Sequence, residues 1–236
     1  MLKTVLFTLL LTLGAGAAHG QVLLGILFGD KLASEKFHIG LTAGANFSDI
    51  SGVDGTKVKA GLVLGLLGEW KLSDNLFLQP ELLPFYYAGA KNMPPGGLEG
   101  IPELEDEVLD KERQTNLKYF EIPILLKYAL GNGRWHLGAG PQIGFLTSAQ
   151  DMYDGVIENE ITIKADRKEM LNSTDAGVAF VLEYKTAPTP FAMGVTARYY
   201  LGLTDIVKDN TGDALYNRIF TLGITMAMGG VDDFQE

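Results

Sequence analysis

The sequence predicts an all-β fold, an eight-stranded antiparallel up-and-down transmembrane β-barrel preceded by a short helical segment. Eight segments alternate apolar with polar or small residues at a period of two, which is typical of strands that have two different faces. Aromatic residues fall near both ends of these segments on the apolar side, like the two interfacial girdles of a membrane barrel. After the N-terminal stretch no run reaches about 18 unbroken apolar residues, so strands must make any crossing.

The N-terminus has the layout of a secretory signal. A basic start, an apolar run and a stretch of small residues follow one another before Gln21. We therefore assign residues 1–20 to a signal peptide and residues 21–36 to a periplasmic amphipathic segment that lies on the membrane or caps the barrel. An uncleaved anchor over residues 5–29 is the alternative, because this stretch is apolar enough to span a bilayer.

The barrel is assigned to residues 37–229 and a C-terminal tail to residues 230–236. The first strand shows the pattern well, because Phe37, Ile39 and Leu41 share one face and smaller or polar residues occupy the other. The eight predicted strands are residues 37–47, 58–70, 76–90, 119–128, 135–145, 175–184, 191–203 and 217–228.

Two further patterns refine the strands. Proline removes a ladder donor, so we expect a bulge at each proline within a strand. These residues are Pro80, Pro84, Pro123 and Pro141. Residues 156–163 also alternate, which predicts that the sheet extends beyond the membrane within one long loop.

The connections alternate between short and long, which indicates the orientation of the barrel. The short turns are residues 71–75, 131–133 and 185–190, and the long loops are residues 48–57, 91–116, 147–174 and 204–216. Outer membrane barrels have short periplasmic turns and long extracellular loops. The sequence therefore predicts a location in the outer membrane with both termini in the periplasm.

Twelve outward aromatic residues form the two predicted girdles, which makes outer membrane lipid the expected surroundings. The periplasmic girdle is Phe37, Trp70, Tyr128, Trp135, Tyr184 and Phe191. The extracellular girdle is Phe47, Tyr86, Phe120, Phe145, Tyr199 and Phe220.

The opposite faces predict a polar network that fills the lumen. Eight strands enclose a space that side chains nearly fill, so an open pore is disfavoured. The predicted network is Glu69, Glu81, Glu121, Lys127, Glu183, Arg198, Gln79, Gln142, His38 and His136. Asp175 faces the same way. Because unpaired buried charges are costly, we expect ion pairs with Arg198 or Lys127.

Catalysis and metal binding are the alternatives to a purely structural role for these polar residues. Glu81 and Glu121 could form an acid–base pair, but an interior salt-bridge network is favoured. His38 and His136 lack a third metal ligand, and a hydrogen-bonded pair at the rim is favoured over a metal site. The acidic residues of loop 91–116 favour a solvated surface over a dedicated ion site. We predict no catalytic residues, no metal and no cofactor.

Composition and motifs exclude several classes of protein. The chain has no cysteine, which excludes disulfides and thiolate sites, and its net charge of −10 argues against nucleic-acid binding. The inward glycines around Gly138 miss dinucleotide spacing and are interpreted as room for lumen side chains. An enzyme would need a nucleophile beside a histidine, and Ser48, Ser51 and Ser148 have none nearby in sequence.

Several short segments together carry a family resemblance. These segments are Phe28-Gly-Asp-Lys31 with Glu35-Lys-Phe37, Gly44-Ala-Asn-Phe-Ser48, Leu78-Gln-Pro-Glu81, Tyr119-Phe-Glu-Ile-Pro123-Ile-Leu-Leu-Lys127-Tyr128, Gly138-Ala-Gly-Pro141 and Asn217-Arg218. The chain resembles the PorT-like outer membrane β-barrel proteins of Bacteroidetes-type bacteria. This family includes a factor linked to protein secretion, so the resemblance implies a barrel and admits a secretion role.

The residues favour a non-enzymatic barrel that is structural or binds an envelope or extracellular protein partner. The alternatives are a narrow porin-like channel for small solutes, a secretion accessory factor and, least favoured, a lipid-modifying enzyme.

Overall fold

The computed structural model describes residues 37–94, 112–156, 161–189, 192–208 and 212–228. Within these residues the chain forms nine antiparallel strands and a short 3-10 helix, Lys168–Met170. The strands are β1 (Phe37–Ser51), β2 (Lys57–Lys71), β3 (Leu76–Met93), β4 (Arg113–Leu130), β5 (Trp135–Val156), β6 (Ile161–Asp166), β7 (Thr174–Lys185), β8 (Gly194–Gly202) and β9 (Tyr216–Met228).

Eight of these strands close into a barrel. Strands β1 to β5 pair in chain order, β5 continues to β7, β8 and β9, and β9 pairs with β1. The closing pair runs from Ile39↔Met228 to Ser51↔Tyr216. Closure leaves no free edge around the barrel, as a sheet surrounded by lipid requires.

The predicted eight-stranded closed antiparallel barrel is confirmed. Each predicted strand corresponds to an observed strand, and the main differences lie at the ends of β4 and β5, which extend further toward the long loops. The signal peptide, the helical segment 21–36 and the tail 230–236 fall outside the described residues. Among the described residues, no helix has the length and apolar character needed to cross a membrane.

Strand β6 is the extra element, and it lies outside the closed circle. It pairs only with the far end of β5, as in Tyr153↔Ile163. A membrane strand needs about 9–11 residues, whereas β5 has 22, so its end and β6 project beyond the bilayer. This confirms the predicted extension of the sheet in the third long loop.

The outer face of the barrel is an apolar belt. Large side chains that soluble proteins bury are here about half exposed, including Leu62 at 55% and Phe180 at 48%. The other exposed belt residues in the middle of the strands are Leu64, Leu66, Leu82, Phe85, Ile124, Leu126, Leu137, Ile143, Leu182, Val195, Leu222, Ile224 and Met226. A continuous apolar surface of this kind needs lipid against it.

Strand β3 contains the bulge that the sequence predicts at Pro84. The register with β4 shifts between Leu83 and Tyr86, and both Pro84 and Phe85 face outward. The prediction that Tyr86 lies in the outer girdle is therefore wrong. Tyr86 is 1% exposed and points into the barrel, while Phe85 is 51% exposed, because the extra residue swaps the faces of the strand above it.

The other three prolines do not produce bulges. The β-ladder register continues without a shift past Pro80, Pro123 and Pro141. These three predictions are wrong, since a barrel strand accommodates a proline wherever its missing donor falls without adding a residue.

Candidate functional site: the filled lumen

The lumen is lined by the polar face of every strand, and its glycines make room for long side chains. A Cβ atom at Gly138 would come within 2.7 Å of Lys127 Cγ, and one at Gly144 would collide with the Glu121 carboxylate. Other glycines have a different role. At Gly61 and Gly65 the Cβ would strike a backbone carbonyl of β3, so these positions let neighbouring strands approach closely.

Four residues near the short-turn end form an ion-pair network, called here the charged cluster: Glu69, Lys127, Glu183 and Lys185. The Lys127 ammonium donates to Glu69 Oε2 and to Glu183 Oε2, both at 2.6 Å. Lys185 donates to Glu69 Oε1 at 2.7 Å, and Thr225 donates to Glu183 Oε1 at 2.6 Å. All four carboxylate oxygens therefore have donors, and the cluster has two negative and two positive charges.

A small cavity opens beside the charged cluster. Its volume is about 20 Å³, enough for roughly one water molecule. The lining residues are His38, Leu67, Glu69, Gln79, Glu183, Lys185, Ala192 and Thr225. This cavity lies at the short-turn end, directly beside the charged cluster.

The two histidines of the predicted network are buried near the same end of the barrel. His38 is 7% exposed and lines the cavity, while His136 is 2% exposed and packs edge-on against Phe77 with ring centroids 5.4 Å apart. Among the described residues, no group of three His, Cys, Asp or Glu side chains is arranged to hold a metal ion.

Further along the lumen, Arg198 pairs with Glu81. Its guanidinium Nη2 lies 2.6 Å from Glu81 Oε1, and the Gln79 amide donates to the same oxygen at 2.6 Å. Both charged groups are almost fully buried. Glu81 therefore forms a salt bridge with Arg198. This agrees with the predicted salt-bridge network and not with an acid–base pair of Glu81 and Glu121.

The middle of the lumen holds a second polar group, called here the carboxylate–amide cluster: Glu121, Gln142, Asp175 and Asn217. The Gln142 amide donates to Glu121 Oε2 at 3.1 Å, and the Asn217 amide donates to Asp175 Oδ2 at 2.8 Å. Thr204 also donates to Asp175, at 2.9 Å. Unlike the charged cluster, neither carboxylate takes part in an ion pair among the described residues.

The long-loop end of the lumen is closed by an apolar cap. Its members are Ile50, Val63, Leu83, Tyr86, Ala88, Ala90, Met93, Leu117, Tyr119, Leu146, Ala149, Tyr200, Ile206 and Ile219. The Asn172 side chain donates to the backbone of Asp205 and Val207, which fastens the β8–β9 loop across the mouth. Ile206 of that loop is 3% exposed within the cap.

The serines considered as nucleophiles are far from a base. Ser48 donates to Gly89 O at 2.7 Å and Ser51 to Tyr216 O at 3.3 Å, so both serve the backbone. His38 is the second residue of β1, and Ser48 lies ten residues further along the strand, roughly 33 Å away at a strand's rise per residue. Ser148 also lies toward the long-loop end, on β5.

The girdle residues occupy both rims of the outer face. Exposed members at the short-turn end are Trp70, Tyr128 and Trp135, and those at the long-loop end are Phe47, Phe145, Tyr199 and Phe220. Phe37 packs on Trp70 and Tyr184 on Trp135, with ring centroids 4.6 and 4.9 Å apart. Phe120 is half-buried beside Phe145, and Phe191 lies outside the described residues.

Sequence reasoning missed Lys185, Thr225 and Asn217. Lys185 was expected in a turn, but β7 continues one residue further, and the residue spacing places Lys185 on the same face as Glu183. That shared parity was the available signal. The same parity places Asn217 and Thr225 on the face opposite to Phe220, but a neutral side chain on that face does not indicate which residue it will contact.

A protein-family model matches most of this chain. Residues 28–208 match the model of the outer membrane protein β-barrel domain. The chain belongs to that family. It is therefore a small outer membrane β-barrel protein, of a kind that is typically non-enzymatic. The finer resemblance to PorT-like proteins is not part of this match.

Solved structures that are similar to this chain include three bacterial proteins. Ail of Yersinia pestis, the attachment invasion locus protein, has 12% identity and a TM-score of 0.43, covering 83% of this chain and 100% of Ail. Neisserial surface protein A has 13% identity and a TM-score of 0.40, covering 80% of this chain and 97% of its own. OprG from Pseudomonas aeruginosa has 13% identity and a TM-score of 0.38, covering 84% and 97%. No curated protein sequence matches the chain.

Proposed function

We propose that this protein is a non-conducting, non-enzymatic outer membrane barrel that binds an envelope or extracellular protein partner through its long loops. The filled lumen is the observation that carries this proposal. From the charged cluster to the apolar cap, inward side chains are buried and bonded to one another, so solutes have no continuous path. The barrel is then a rigid scaffold that holds the long loops in position for a partner to bind.

The proposal includes an orientation. Residues 1–20 are removed on export, and both termini of the mature chain lie in the periplasm. The projecting end of β5, together with β6, lies on the extracellular side of the membrane. The long connections lie at one end of the barrel and the short turns at the other, which supports this arrangement because short turns are the periplasmic feature of such barrels. The resemblance to PorT-like proteins makes a secretion component one class of partner.

Single-channel recording tests the filled lumen. The mature chain, refolded in detergent and shown to be folded by heat-modifiable gel migration, is inserted into planar bilayers. We expect no conductance steps, while an open porin inserted in the same membrane gives steps. Discrete steps from this protein would favour the narrow channel instead, with the cavity at Glu69 and Lys185 as its inner mouth.

A further inference from the structure

Two carboxylates in the carboxylate–amide cluster remain without a cation. Lys127 and Lys185 are taken up by the charged cluster, and Arg198 is taken up by Glu81. Glu121 and Asp175 are 0% and 1% exposed, yet each has only neutral hydrogen-bond donors among the contacts of the described residues. Two carboxylates buried in this way need either a cation or protons, because unpaired negative charge is costly away from water.

The strand register brings these two carboxylates together. Glu121 on β4 lies opposite Gly144 on β5, and Gly144 lies opposite Asp175 on β7. Gly144 has no side chain, and the Glu121 carboxylate lies over it in the space that a Cβ would occupy. The glycine therefore lets the Glu121 carboxylate lean over the middle strand, toward the side on which Asp175 lies.

The neighbouring amides present oxygen atoms that have no donors. Gln142 and Asn217 use their amide nitrogens on the two carboxylates, which leaves Gln142 Oε1 and Asn217 Oδ1 buried without a hydrogen-bond partner. Glu121 Oε1 is likewise buried and unpartnered. All three side chains are 0% exposed, so outside solvent does not satisfy these atoms.

We propose that the carboxylate–amide cluster binds one hard divalent cation of the Ca²⁺ class. Carboxylate and amide oxygens are the ligands that Ca²⁺ prefers, and its charge balances the two carboxylates. Glu121 and Asp175 supply the charged ligands, Gln142 and Asn217 the neutral ones, and water completes the shell. Zinc does not fit this donor set, because the described histidines lie at the other end of the lumen.

Terbium luminescence tests the site. Tb³⁺ takes the same oxygen ligands as Ca²⁺ and is excited through a nearby tyrosine, and Tyr119 lies beside the cluster because its hydroxyl accepts from Asn217 at 3.2 Å. The mature chain is refolded in detergent with a chelator, transferred to chelator-free buffer and titrated with Tb³⁺. We expect tyrosine-excited emission that saturates at one ion per chain and is displaced by Ca²⁺.

Two matched variants assign the ion to this cluster. Glu121→Gln should lower Tb³⁺ affinity at least about tenfold, whereas Glu112→Gln, which alters an exposed loop carboxylate, should leave the affinity unchanged. Equal affinity in Glu121→Gln and wild type would overturn the proposal by placing the ion on the acidic loops. Absence of emission in the wild-type protein would also overturn it, because water or a proton would then satisfy the oxygens.

A stability measurement covers the case in which Glu121→Gln does not fold. The wild-type protein should show a higher thermal midpoint in Ca²⁺ than in chelator, and Asp175→Asn should abolish that difference. No difference in the wild-type protein contradicts the site.

Discussion

Lys127 is the residue on which the charged cluster depends. It is 1% exposed, and its single ammonium group bridges carboxylates from two other strands, Glu69 of β2 and Glu183 of β7. Charges removed from water in this way are tolerated only while every partner remains in place. One side chain thereby ties together walls of the barrel that are not neighbours in the sheet.

Replacing Lys127 by methionine should destabilise the barrel strongly. Lys127→Met keeps the length and packing of the side chain but leaves the buried Glu183 without its cation and Glu69 with Lys185 alone, which costs about 3–5 kcal/mol of unfolding free energy. Urea unfolding of the refolded protein in detergent, followed by band migration on gels, measures this loss.

Lys71→Met is the matched control for that experiment. Lys71 is also a lysine in an ion pair, with Asp74 at 3.1 Å, but it lies at the exposed end of β2. Its replacement should leave the unfolding midpoint close to that of the wild type. Similar midpoints for the two variants would show that Lys127 does not hold the lumen together.

The lumen residues could be predicted individually, but their partners could not. A period of two assigns Glu69, Lys127 and Glu183 to one face, because alternation is a local property of each strand. Which side chains meet across the lumen depends on barrel closure and register, which single strands do not encode. The sequence predicted ion pairs of Glu81 and Glu121 with Arg198 or Lys127. The structure confirms the pair of Arg198 with Glu81, whereas the ion pair expected for Glu121 is absent among the described residues.

At the scale of elements, β3 shows how one inserted residue redirects a strand. Below Pro84 the strand alternates as expected, whereas above it the outward residue is Phe85 and the inward one is Tyr86. The bulge thus supplies the apolar cap with a large ring. It also keeps an aromatic side chain on the lipid side at almost the same height.

Alanine substitution at these two adjacent residues tests the swap of faces. Tyr86→Ala should cost about 3–5 kcal/mol, because it leaves a void in the packed cap. Phe85→Ala should cost clearly less, since lipid fills the space that the ring leaves. Equilibrium unfolding in lipid vesicles compares the two variants. A larger loss for Phe85→Ala than for Tyr86→Ala would show that β3 alternates without a bulge, with Phe85 facing the lumen.

The limits of sequence prediction at this scale follow from the patterns used. Eight strands were predictable because each has a lipid face and a lumen face that differ in polarity. The ends of β4 and β5 were not, because beyond the bilayer both faces meet water or protein and the contrast fades. Pro80 and Pro84 look alike in sequence, and only the register shows which one adds a residue.

At the scale of the whole molecule, the two ends of the barrel differ in chemistry. The charged cluster and its cavity lie at the short-turn end, and the apolar cap with its fastened loop lies at the long-loop end. Outside, a single apolar belt runs between two aromatic rims. The apolar belt requires the molecule to sit in a bilayer. The difference between the two ends makes the barrel asymmetric along its axis.

Cysteine labelling in intact cells tests that direction. The chain has no cysteine, so single substitutions report cleanly. We expect Asp54→Cys, in the β1–β2 loop, to react with a membrane-impermeant maleimide, because the proposed orientation exposes this loop to the medium. Asp74→Cys, in the β2–β3 turn, should react only after the outer membrane is permeabilised. Reaction of Asp74→Cys in intact cells and not of Asp54→Cys would invert the orientation.

The pairing of β1 with β9 means that the wall of the barrel has no first or last member. Every strand in the ring has a neighbour on each side, and the residues Ile39 and Met228 stand opposite one another although they are far apart in the sequence. Strand β1 is synthesised first and β9 last, so the edge of β1 that pairs with β9 stays unpaired until the whole barrel sequence has been made. Until that pairing forms, the backbone groups along this edge of β1 lack the partners that they have in the finished barrel.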